Sequence, residues 1–75
     1  MKKTMEIKTK YNIGDWVWFM HENTVHQGVI KKITVFIEKD GLNIVYTLID
    51  QNNSLELQFG TPFLFLTKAE LLKSL

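Results

Sequence analysis

Val25-His26-Gln27-Gly28-Val29-Ile30-Lys31-Lys32-Ile33-Thr34-Val35-Phe36-Ile37-Glu38 is the stretch on which the fold turns. Its β-branched residues suit a pleated, half-buried surface, and no proline interrupts it. Alternation places Val29, Ile33, Val35 and Ile37 on one face, with Lys31 breaking the set, and Ile30 and Phe36 on the other. The stretch reads as one long strand. Gly28 marks a convenient place for a bend or bulge, as glycine inside a strand often does. So long a strand in a 75-residue chain has to curl, and such curling is how small barrels close.

The flanking sequence extends this reading. Upstream, Tyr11-Asn12-Ile13-Gly14-Asp15 forms a turn in which Gly14 supplies positive φ and Asp15 bonds nearby amides. Trp16 to Met20 is a strand with Val17 and Phe19 on one face and Trp16 and Trp18 on the other. His21-Glu22-Asn23-Thr24 is the polar hairpin loop that follows. Downstream, Lys39-Asp40-Gly41 contains an Asp-Gly pair, a strong hairpin signal. The strand from Leu42 to Asp50 carries Leu42, Ile44, Tyr46 and Leu48 on one face, Val45 and Ile49 on the other. After a turn at Gln51-Asn52-Asn53, Ser54 to Phe59 alternates with Leu55, Leu57 and Phe59 inward. Gly60-Thr61-Pro62 interrupts, and Phe63 to Leu66 forms a fifth, short strand. Thr67-Lys68-Ala69-Glu70 matches a capping box, with Thr67 as N-cap. Leu71, Leu72 and Leu75 then give the short helix an apolar side to lean on the strands.

Five short strands and a C-terminal helix define a mostly β domain of the small-barrel kind. The chain is long enough for one domain only, divided into a loosely ordered basic segment, 1–10, and the barrel with its helix, 11–75. Without cysteine, neither disulfides nor thiolate zinc can brace so small a core. Packing of Trp16, Trp18, Phe19, Phe36, Tyr46, Phe59, Phe63 and Phe65 has to serve instead. The same absence fits a reducing compartment, and no apolar stretch follows the N-terminal lysines to make a secretion signal. No apolar run, Phe63 to Leu66 included, approaches the ~20 residues of a membrane helix. A cytoplasmic location is expected, with no membrane contact.

Ile13-Gly14-Asp15-Trp16-Val17, followed by His26-Gln27-Gly28-Val29-Ile30-Lys31-Lys32-Ile33, resembles the opening of SH3-like barrels of the Tudor and KOW kind. Those combine a Gly-Asp turn, a strand, a hairpin and a long strand with a Gly-x-Val-x-x-Ile pattern. The ending, Phe65-Leu66-Thr67-Lys68-Ala69-Glu70-Leu71-Leu72-Lys73-Ser74-Leu75, is similar to the Phe-x-Thr-Lys-x-Glu-Leu tail of small uncharacterised phage and prophage proteins with this opening. The resemblance implies a five-stranded SH3-like barrel and a phage or mobile-element origin.

Catalytic chemistry finds no foothold. His21-Glu22-Asn23-Thr24-Val25-His26 misses the zinc-protease motif, which needs its histidines four apart on one helical face. Here they lie five apart astride a hairpin, read as two exposed loop residues on opposite strand faces. Ser54 and Ser74 have no nucleophile-elbow context. Asp15, Asp40 and Asp50 sit at turns, where bonding the local backbone explains them. The four glycines are scattered, so no phosphate loop exists. The expectation is no enzyme, no cofactor, no metal and no small-molecule substrate.

Binding is the remaining class. The strand of Trp16 and Trp18 is apolar on both faces. Three roles fit the pair: cover by the C-terminal helix, a surface for another protein or a second copy, or an aromatic cage with Tyr46 as an extra wall. The leading expectation is a non-catalytic interaction module using Trp16, Trp18 and Tyr46. The alternative is a nucleic-acid accessory protein using Lys31, Lys32 and the N-terminal lysines, as KOW-type barrels imply. Nine basic residues, all lysine, face eight acids. The lack of arginine removes the bidentate fork that reads bases.

Overall fold

The computed structural model describes residues 8–75. Four strands form one antiparallel sheet in chain order: β1 (Trp16–His21), β2 (Thr24–Glu38), β3 (Gly41–Asp50) and β4 (Glu56–Gly60). A 3-10 turn at Thr61–Phe63 and the helix α1 (Lys68–Lys73) complete the chain. The architecture is mostly β with a short C-terminal helix, as expected.

Each turn follows from local chemistry. Glu22 and Asn23 both take positive φ, 51° and 61°. That geometry belongs to the two-residue hairpin turn whose twist matches the strands it joins. The second hairpin turns on Lys39 and Asp40, with Gly41 opening β3 at φ 141°. The Thr67 hydroxyl accepts the Glu70 N–H at 3.1 Å, which caps α1 as the sequence indicates.

Two devices in β2 differ from the sequence reading. The ladder with β3 skips a residue between Ile30 and Lys32, so the bulge lies at Lys31 rather than Gly28. One extra residue moves all later side chains to the opposite face. Ile30, not Val29, therefore shares the inner face with Ile33, Val35 and Ile37. Gly28 answers a different need: a Cβ there would lie 2.6 Å from the Ile49 carbonyl oxygen. Only glycine lets β3 come this close.

The core gathers Tyr11, Val17, Phe19, Ile30, Tyr46, Leu48 and Leu64, with Ile33, Ile44, Leu57 and Phe59 packed against it. Tyr11, read from sequence as a turn residue, is buried. Its hydroxyl donates to the Leu64 carbonyl at 2.7 Å, and its ring meets Tyr46 edge-on at 5.3 Å. The Tyr46 hydroxyl accepts the Lys10 N–H at 3.1 Å. Most of the segment 1–10 lies outside the described residues. Thr9 and Lys10 are bonded into the body by side chain or backbone.

The expected fifth strand, 63–66, contracts to one bridge. Trp18 and Phe65 exchange N–H···O bonds of 2.7 and 3.0 Å. Pro62 within the preceding 3-10 turn donates no backbone bond, and nothing extends the pairing. The sheet is thus four-stranded and open. Of the three leucines expected to lean on the strands only Leu71 is buried; Leu72 is exposed, and Leu75 lies beyond the end of α1 and is exposed too. No helix among the described residues is long and apolar enough to cross a membrane.

Beyond the bulge, among the described residues, β2 and β3 pair only with each other. β1 pairs β2 only as far as Val29, and β4 pairs β3 only from Val45. Residues 31–44 form a two-stranded arm. The radius of gyration, 13.9 Å, exceeds the ~11 Å of a compact chain this size.

Candidate interaction surfaces

The outer face of the sheet carries the first surface. Register places Trp16, Val29 and Ile49 side by side across three strands, followed by Glu56 on β4. Trp16 is 50 % exposed, and Val29 and Ile49 are half-buried. Trp18 stands beside Trp16 on this face, half-buried next to the Phe65 bridge. α1 packs on β1, and Ser74 and Leu75 beyond it line a groove of about 300 Å³ with Met20, Phe59, Phe63 and Phe65. Trp16 lies at the other end of β1.

Tyr46 does not join the two tryptophans. It is fully buried on the inner face, between Ile33 and Phe59 in the ladder. The structure therefore offers no three-walled cage from Trp16, Trp18 and Tyr46. Strand parity sends an even residue of β3 to the inner face and an even residue of β1 to the outer one.

Lys31 and Lys32 sit together at the bulge, both exposed. Lys31 binds Glu56 at 2.6 Å. That hydrogen bond first, and the ammonium charge second, hold the Glu56 carboxyl below the ordinary carboxylate range. One of the two lysines is thus already committed to an acid.

The histidines correct the sequence reading most sharply. They are strand residues on one face, with rings 5.6 Å apart edge-on. In this register residue 21 pairs with 24 and residue 19 with 26, so odd positions on β1 share a face with even positions on β2. His26 stacks on Phe19 and places Nδ1 2.7 Å from Oδ2 of Asp50. Asp50 is fully buried, and its Oδ1 accepts the Asn52 N–H at 2.9 Å. The pair ties the β3–β4 turn to β2, alongside the Gln51 N–H that donates to the Gln27 carbonyl. Among the described residues no three His, Cys, Asp or Glu side chains converge as a metal site would require. Counting across the two-residue hairpin, rather than along the chain, is the signal that would have found this pairing.

The arm is the second surface. Its inner face continues the core pattern through the pairs Ile33–Tyr46, Val35–Ile44 and Ile37–Leu42. Toward the tip the cover is lost, and Ile37 is 65 % exposed. Phe36, on the other face, is also exposed.

No protein-family model, curated protein or solved structure matches the chain.

Proposed function

We propose that this chain is a non-catalytic interaction module, built on an SH3-like barrel, that binds another protein through the outer face around Trp16 and Trp18. The observation that carries the reading is the register of half-exposed Trp16 with Val29 and Ile49. Tryptophan concentrates binding energy where it stands among flatter apolar neighbours. The barrel reading is supported by the Trp18–Phe65 bridge, which brings the last segment back to the first strand. The phage or mobile-element origin rests on the resemblance of the opening and tail. A cytoplasmic site of action is in keeping with a chain free of cysteine.

A photo-crosslinking residue at position 16, expressed in the native host, tests the reading. A discrete protein adduct at 16, missing from the same probe at Asn52, is the expected result. Equal labelling at both positions would sink it. Retention of mixed oligonucleotides that falls steeply with salt would favour the nucleic-acid alternative instead.

A further inference from the structure

We infer that the arm is a self-association element: two copies pair antiparallel along the free edge of β2, with the two-fold axis at Val35. The inference uses a different surface from the Trp16 face and does not rest on it.

The starting point is an edge that the described residues leave open. Gly14 and Asp15 bond both backbone groups of Ile30, and no described segment pairs this side of β2 beyond that point. A row of unpaired N–H and C=O groups is a template for another strand. Proteins that stay monomeric blunt such edges with charge, proline or brevity. Ile33-Thr34-Val35-Phe36-Ile37 has none of these. A two-stranded ribbon is also marginal by itself in water. The opposite edge is a poorer candidate, because β3 is free only over Gly41 to Ile44.

Charge selects the occupant and the register. A two-fold axis through one residue pairs position i with a fixed sum minus i. An axis falling between residues would bring an inner-face side chain opposite an outer-face one, so it is excluded by parity. An axis at Thr34 sets Lys32 against Phe36 of the partner subunit. An axis at Phe36 sets Ile33 against Lys39 of the partner subunit. An axis at Val35 sets Lys32 against Glu38 of the partner subunit, twice by symmetry. It also sets Ile33 against Ile37 of the partner subunit, and Val35 against its own copy. Opposite charges directly across a ladder stabilise, and like charges destabilise. The one unfavourable pair, Lys31 with Lys39 of the partner subunit, falls at the bulge and the turn, where Lys31 is already held by Glu56. Pairing merges the two apolar inner faces into one four-stranded surface. A second copy is therefore the partner this edge fits, and the contact is isologous.

Sedimentation of the full chain over a range of concentrations reads the association. A monomer–dimer equilibrium is expected. Lys32→Glu alone and Glu38→Lys alone each place like charges together and should weaken the dimer about tenfold. Mixed in equal amounts, the two variants should recover association as a heterodimer. Because the chain has no cysteine, Val35→Cys gives a second readout: oxidation should link two copies at this position. Trp16→Ala should leave the dimer intact. A strict monomer at the highest soluble concentration overturns the inference. So does a dimer indifferent to both charge reversals, or one lost with Trp16→Ala.

Discussion

The body and the arm are built from the same alternating pattern and end in opposite conditions. In the body, inward positions such as Val17, Phe19, Ile30, Tyr46 and Leu48 are buried by strands, turns and the segment around Tyr11. In the arm, Ile33, Val35, Ile37, Leu42 and Ile44 continue that inner face, and exposure rises toward the tip. The difference teaches that alternation decides which side of a strand is apolar. Whether that side is covered depends on how far the neighbouring strands reach.

Truncation would probe the contrast most strongly. Phe19→Ala should cost about 3–5 kcal/mol in denaturant unfolding, whereas Ile37→Ala in the monomer should cost under about 1 kcal/mol. Similar losses at both sites would erase the distinction between body and arm. Gly28→Ala comes next, at about 1–3 kcal/mol, because its methyl would drive β2 away from the Ile49 carbonyl. Thr67→Ala should cost about 1 kcal/mol through loss of the α1 cap. Amide exchange should localise that loss to α1 and the groove beside Met20, leaving the arm unchanged.

The smallest effect belongs to the ion pair at the junction of the two regions. Glu56 has a depressed folded-state value, so its contribution is present above the unfolded carboxylate range and is lost as pH falls through the folded value. The group is exposed and screened by salt. Glu56→Gln should therefore differ from wild type only slightly, at neutral pH and low salt. The difference should vanish in acid or in high salt.

Much of the body could be read from sequence. Both hairpins, the four long alternations and the Thr67 cap are encoded within a few residues, where turn chemistry and side-chain period act directly. What escaped is non-local. The bulge at Lys31 exchanges the faces of Val29 and Ile30, and nothing in the residues around it marks the skip. Tyr11 is core because Leu64, far along the chain, offers a carbonyl to its hydroxyl. His26 and Asp50 meet because the far end of the long β2–β3 ladder brings positions 24 residues apart side by side. Of the proposed binding residues, Trp16 and Trp18 share a face as their spacing required. Tyr46 could be placed opposite them only once the pairing of β1 with β2 and β2 with β3 was known.

The Trp18–Phe65 bridge has a consequence for how the chain folds. Every ladder in the sheet joins strands that follow each other in sequence, so each can zip from its own turn. The bridge ties the first strand to the last segment by backbone hydrogen bonds, closing a loop that spans most of the domain. Loop-closure entropy delays such a contact until the local ladders are in place. The sheet then assembles as a row of hairpins, and the bridge forms last and opens first.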